Sequence, residues 1–214
     1  MTVYPMNLNL AGRTVAVIGG GGVAERKAVA AVKAGALVTM ISPCLTETLQ
    51  RLAAAGTVRH WNRTWQPGDG AGFFLLFCAT DHCDVNREAA IDGKQAGALV
   101  NVADAPELCD FTVPGQVRRG DLLFTVSTGG KSPAVARQIR HELAERYGEE
   151  YGQYLELIGR LRAELKSTLH VSAERQRIWR QAMDETVLEL LRAGKFKEAE
   201  AKIRNAISSA GTQS

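Results

Sequence analysis

Four consecutive glycines, Gly19 to Gly22, interrupt the stretch TVAVIGGGGVAERKAVAAVKAGALVTMIS, residues 14–42. Such a tract suits neither a strand nor a helix, because glycine loses the most backbone freedom on ordering. Its spacing fits G-x-G-x-x-A, with Gly19, Gly21 and Ala24 in the defining positions. In that pattern the first glycine turns the chain out of a strand, and the second leaves room for a pyrophosphate. The small third residue keeps the next helix close to the sheet. The amides of Gly22 and Val23 then point at phosphate from the positive end of a helix. Alone the pattern is weak. Here it follows a first strand, opens a helix and precedes a second strand about twenty residues on, the context a dinucleotide site requires. The second strand should end in Asp or Glu to hold the ribose hydroxyls. It ends instead in Ile41-Ser42-Pro43-Cys44, with neither an acid nor an arginine, so NAD and NADP both stay open.

Asp104, in ALVNVADAPELCDF, is the second residue with chemical potential. It falls just past an apolar strand, where open α/β sheets place their ligands. A carboxylate there can move a proton or ligate a metal, and it can equally cap a turn before Pro106. STGGKSP, residues 127–133, is the third such segment. Its amides, with Thr128, Lys131 and Ser132, can hold an anion, and Ser132 can also serve as an ordinary helix N-cap. His60, His82, His141 and His170 lack metal-ligand spacing, and Cys44, Cys78, Cys83 and Cys109 form no CxxC pair, so no metal site is expected. Trp61, Trp65 and Trp179 read as packing residues. No tyrosine is followed four positions later by lysine, which disfavours the short-chain dehydrogenase acid–base pair.

These residues need elements to position them. Thr14–Ile18 is a short β-branched run, a helix spans about Val23 to Ala34, and Ala36–Ile41 is the next strand. CLTETLQRLAAAG is a second helix ending at Gly56, and Val58–Trp61 a third strand. Gly72–Thr80, GFFLLFCAT, is apolar throughout, as a strand buried on both faces should be. Asp81–Ala96 reads as helix and Leu99–Val102 as strand. This alternation predicts a doubly wound parallel α/β sheet. Beyond about Phe111 the pattern changes to a hairpin turning at Arg119-Gly120-Asp121, then the amphipathic helix KSPAVARQIRHELAERY. From about Tyr151 the segments YLELIGRLRAELKS, SAERQRIWRQAM, DETVLELLRAG and KFKEAEAKIRNAISS keep a helical period. Domains are therefore expected at residues 1–113, 114–147 and 148–214.

Net charge is only +3, with charges interspersed, so neither nucleic acid nor a membrane is an expected partner. No signal peptide or spanning segment is expected, and reduced cysteines suit the cytoplasm.

The pieces VIGGGGVAERKA, CATD with VN soon after, NVADAPELCDFTVP and VSTGGKSPAVAR, in this order, resemble the precorrin-2 dehydrogenase family. That family includes the N-terminal half of bifunctional siroheme synthases, and the resemblance runs from about Leu8 to Arg140. It implies a Rossmann-like domain, a hairpin–helix dimerisation segment, a C-terminal helical subdomain and a homodimer. The implied reaction passes a hydride from precorrin-2 to NAD, giving sirohydrochlorin; some members also insert ferrous iron. The resemblance puts catalytic proton handling on Asp104. It puts dinucleotide contacts on Gly22, Val23, Pro43 and Cys44, within a cofactor-binding set of Gly19, Gly20, Gly21, Gly22, Val23, Ser42, Pro43 and Cys44. Tetrapyrrole binding is expected at Thr128, Gly129, Lys131 and Ser132. Arg118, Arg119 and Arg137 are further cations for a multi-carboxylate substrate, or plain solvated surface. The sequence stops at Ser214 without the methyltransferase half of the fused enzymes, so another protein is expected to methylate the precursor. A nucleotide-sensing module without catalysis is the competing class.

Overall fold

In a computed structural model, residues 3–168 and 185–211 are described. The segment SAERQRIWRQAM, with Trp179, and His170 lie outside them. The chain forms two compact units, Met1–Val113 and Pro114–Ser214. Both the hairpin–helix segment and the terminal helices fall in the second.

The first unit alternates strand and helix: β1 Thr14–Ile18, α1 Gly22–Lys33, β2 Leu37–Ile41, α2 Glu47–Ala54, β3 Val58–Trp61, β4 Leu75–Cys78, α3 Cys83–Gln95 and β5 Leu99–Val102. A 3₁₀ turn follows at Pro106–Leu108. The five strands form one parallel sheet in the order β3-β2-β1-β4-β5. The Rossmann-like winding is visible in the side chains of β1. Val15 and Val17 face Ala24, Ala28 and Ala31 of α1 and Leu49 of α2. Ala16 and Ile18 face Ala89 and Ala90 of α3. Alanine on both helices lets them lie close to the sheet, and burial on both faces explains the unbroken apolar run of β4. That strand is shorter than the apolar run, but the pairing carries on at both ends through Phe74 N–H to Thr14 O and Ala79 N–H to Ile18 O. The helix α1 starts one residue earlier than the alanine pattern indicates, at Gly22.

The register brings Ile18 beside Ile41 and Cys78, and Cys78 beside Val102. Four strands therefore end level with one another. The chain that leaves them, at Gly19, Ser42, Ala79 and Ala103, emerges along one sheet edge. With α1 and α3 on opposite faces, the strand order reverses between β1 and β4, the switch point at which sheets of this kind place their ligands.

In the second unit β6 Gly115–Arg119 and β7 Leu122–Val126 pair antiparallel through a two-residue turn, Gly120-Asp121. Next come α4 Pro133–Arg146, α5 Glu150–Thr168, α6 Glu185–Arg192 and α7 Phe196–Gly211. Leu157 and Leu161 of α5, Val187 and Leu191 of α6, and Ala199 and Ile203 of α7 make a separate small core.

Candidate active site

The glycine turn is built by two different steric demands. Gly19 has φ +110, which L side chains rarely adopt, and a Cβ there would strike the Ala79 carbonyl oxygen. A Cβ on Gly20 would strike the carbonyl oxygen of Cys44. These two glycines therefore seat the turn against the ends of β4 and β2, where only glycine fits. Gly21 and Gly22 are different: a Cβ on either meets nothing within 4 Å. Gly21 is the N-cap of α1 and gives it no side-chain cap. By contrast Thr46 and Ser132 cap α2 and α4. The first amides of α1 thus face open space at a positive helix end, which fits a diphosphate. Val23, beside them, is an exposed large hydrophobic residue.

At the end of β2, Pro43 and Cys44 are exposed and Ser42 is buried. The Ser42 hydroxyl donates to Cys44 O at 2.7 Å and accepts from Cys44 N–H at 3.4 Å. It is occupied in closing this loop, so this hydroxyl of the expected cofactor-binding set is already committed. His60 Nε2 lies 2.8 Å from Ser42 O, and since a carbonyl can only accept, that nitrogen carries the proton.

Asp104 is the one non-glycine residue with positive φ among the described residues, at +58, and it is exposed. Left-handed backbone on a residue with a side chain costs about 1–2 kcal/mol, least for Asn and Asp, and needs surroundings that enforce it. The rest of the NVADAPELCDF motif enforces it. Val102 N–H donates to Cys109 Sγ at 3.1 Å, and the thiol lies 3.3 Å from Val102 O and 3.4 Å from Ala105 O. Asp110 then brackets Val100, its carboxylate Oδ2 accepting from the Val100 amide at 2.9 Å and its backbone N–H donating to the Val100 carbonyl at 2.8 Å. The loop is clamped to β5 at its base, with Asp104 at its tip.

Three groups around this corner were not singled out by the sequence. Asn101, buried on β5, accepts from Lys27 Nζ at 2.6 Å and donates to Phe111 O at 2.9 Å. Lys27 reaches it from α1, its ammonium 5.0 Å from the centre of the Phe77 ring. Burial holds the Lys27 ammonium below its ordinary pKa, helped by neighbouring Arg26, while Cys109 and Asp104 oppose the shift. Asn86 explains the CATD…VN spacing. Its side-chain oxygen accepts from Thr80 N–H at 3.1 Å and Thr80 O–H at 2.8 Å, and its amide donates to Thr80 O at 2.9 Å. That bracket fixes the β4–α3 turn, whose Ala79 carbonyl abuts Gly19. Lys27 and Asn101 stand within quoted motifs, but their pairing spans 74 positions and no local spacing announces it.

The glycine turn, Ser42–Cys44 and Asp104 thus share one edge of the first unit. Thr128, Gly129, Lys131 and Ser132 lie in the second unit, between β7 and α4. There the Thr128 hydroxyl donates to Ser132 O at 3.1 Å and accepts from Ser132 N–H at 3.2 Å. Ser132 accepts from Val135 N–H as the N-cap of α4. Both hydroxyls are committed to the loop, whereas Lys131 and Gly129 are exposed. Among the cations, Arg119 is not free surface: it donates to Tyr147 O at 2.9 Å and Ala144 O at 3.1 Å, tying the hairpin to the end of α4. Arg118 and Arg137 are exposed and, with Arg140 and His141, line a groove of about 710 Å³ along the hairpin and α4. Among the described residues no group of three or more His, Cys, Asp or Glu is arranged to hold a metal ion. No described helix is long and apolar enough to cross a membrane.

Comparison with known proteins adds three findings. Residues 6–115 match the family model described as "Putative NAD(P)-binding". Residues 119–146 match "Sirohaem biosynthesis protein central", and residues 150–207 match "Sirohaem synthase dimerisation region". The siroheme synthase of Methylobacillus flagellatus is 33% identical over 211 residues, covering 99% of this chain and 45% of that protein. That of Methylococcus capsulatus is 32% identical over 213 residues, covering 100% and 45%. The chain thus spans less than half the length of these relatives. Among solved structures, "SirC, precorrin-2 dehydrogenase" superposes with a TM-score of 0.79 at 28% identity, covering 95% of this chain and 100% of that one.

Proposed function

Because the chain belongs to the NAD(P)-binding family matched by its residues 6–115 and continues into two sirohaem synthase regions, we propose that it oxidises precorrin-2 to sirohydrochlorin, using NAD. The observation that carries this reading is the shared sheet edge: an uncapped glycine turn and a strained, clamped carboxylate leave β1 and β5 in register. The full-length superposition on a precorrin-2 dehydrogenase supports it.

NAD, when bound, supplies a hydride acceptor. The amides of Gly22 and Val23 hold its diphosphate, Gly21 leaves the space for it, and Pro43 and Cys44 border the adenosine side. Gly19, Gly20 and Ser42 hold that cradle in shape. Oxidation removes a hydride and a proton from the macrocycle, and Asp104 takes the proton. Its left-handed turn fixes the backbone from which that carboxylate projects at the sheet edge. Asn101 and Lys27 brace the strand that carries it. Lys131 and the Gly129 backbone offer donors to substrate carboxylates, while Thr128 and Ser132 shape that loop. The same aspartate can accept the pyrrole protons released when ferrous iron, as substrate, enters sirohydrochlorin. A cytoplasmic homodimer completes the proposal, supported by the dimerisation-region match and by four unpaired cysteines.

The test mixes the protein with precorrin-2 and NAD and follows NADH and sirohydrochlorin together. Both should appear in equal amounts. If NAD binds and no NADH forms, the chain is a nucleotide-sensing module instead. A second arm adds ferrous iron to sirohydrochlorin, and uptake no faster than without protein removes the chelation step.

A further inference from the structure

We propose that Glu25, on α1, is the residue that makes this site reject the 2′-phosphate of NADP. This rests on the dinucleotide reading of the glycine turn. In this fold the discriminating acid normally ends the second strand. Here that strand ends in Ser42-Pro43-Cys44, and the Ser42 hydroxyl is spent on Cys44 O at 2.7 Å. The loop is instead drawn onto the glycine turn: Gly20 lies against the Cys44 carbonyl, and Thr46 N–H donates to Gly20 O at 3.1 Å. At that junction Thr46 O–H donates to Glu25 Oε2 at 2.5 Å.

The bond does two things. It satisfies the hydroxyl that also caps α2 through Leu49 N–H, and it fastens a half-buried carboxylate beside the loop that borders the adenosine ribose. Glu25 sits in the first turn of α1, so the helix end favours its charge and the Thr46 bond fixes its direction. No Arg or Lys side chain is hydrogen-bonded to residues 42–46 among the described residues, and His60 Nε2 is held by Ser42 O. A ribose hydroxyl finds a neighbouring acceptor there, while a phosphate dianion finds a fixed like charge. The acid missing from β2 is supplied from the facing helix.

The experiment measures dissociation constants of NAD and NADP by calorimetry for the parent, Glu25→Gln and Glu25→Arg. Glutamine keeps an oxygen for Thr46 and replaces the second carboxylate oxygen with an uncharged amide donor of the same shape, so folding is preserved, which a melting curve checks. The parent should favour NAD. Glu25→Gln should weaken NAD and shift the NADP-to-NAD affinity ratio toward NADP at least about tenfold, and Glu25→Arg should go further in the same direction. The parent preference should shrink with added salt and that of Glu25→Gln should not. A Gln variant that weakens both dinucleotides equally, or a parent that binds both alike, overturns the proposal. A parent that binds neither refutes the dinucleotide reading itself, a separate failure.

Discussion

Adjacent glycines in the turn should respond oppositely to the same methyl group. At Gly21 the backbone is extended, with φ −81, and an added Cβ meets nothing. Gly21→Ala loses about 0.5–1 kcal/mol as a poorer N-cap. It regains about 0.4–1 kcal/mol because the unfolded chain is stiffer. Net stability should therefore move by less than about 0.5 kcal/mol. The methyl group would occupy the space in front of the α1 amides. Losing one charge-assisted hydrogen bond there costs about 1.5–3 kcal/mol, or about 10- to 100-fold in NAD affinity. At Gly20 the same methyl collides with the Cys44 carbonyl, so the β2 loop must shift, at about 1–3 kcal/mol or more in stability. Urea unfolding and calorimetric NAD titration on both variants separate the effects. Gly21→Ala binding NAD like the parent, or unfolding as readily as Gly20→Ala, would refute the assignment of one glycine to ligand space and the other to packing.

Three further outcomes follow from the same geometry. Burial pushes the Cys78 thiol up to about 12 from an ordinary 9.0, with Cys109 adding to the shift. The unfolded chain loses this proton first, so the stability it contributes is full below pH 9.0 and is lost as pH rises toward 12. The parent should therefore lose about 1.4 kcal/mol relative to Cys78→Ala by about pH 10, read from urea midpoints, and a constant difference would contradict it. Lys27 acts with the opposite sign: its pKa is lowered in the fold, so its contribution rises with pH up to 10.5, and Lys27→Met should remove that rise from the same curves. Cys44 and Cys83 are both exposed, and in the proposed site only Cys44 would border the adenosine side. Saturating NAD should slow Cys44 alkylation at least about fivefold and leave Cys83 unchanged, as peptide mass spectrometry would show; equal rates would place the dinucleotide elsewhere.

The first unit was legible because its elements announce themselves locally. The β-branched run before the glycines, the alanines of α1 and the unbroken GFFLLFCAT each carry a periodicity that burial then obeys. The G-x-G-x-x-A spacing separates Gly19, the turn, from Gly21, the open space, but it assigns nothing to Gly20. Gly20 is shaped by Cys44, which stands 24 positions later, and no pattern around Gly20 reports that neighbour. The place of Asp104 after a strand is legible in the sequence, yet its left-handed backbone depends on Cys109 and Asp110 closing the loop. Ser42 and Thr128 illustrate the converse. A hydroxyl near a ligand edge looks available in a sequence, and only the folded loop shows it already hydrogen-bonded to its own backbone. Glu25 and Lys27 carry no local signal, because first-turn acids and helix-face lysines are ordinarily solvated, and their meaning comes from partners on other elements.

The most direct test of the account replaces Asp104 with asparagine, a residue that tolerates the left-handed turn and keeps its shape while losing the carboxylate. Conversion of precorrin-2 at saturating NAD should fall at least about 100-fold, with NAD affinity and melting temperature unchanged. An Asp104→Asn protein that makes sirohydrochlorin at the parent rate would contradict the claim that this aspartate carries the proton.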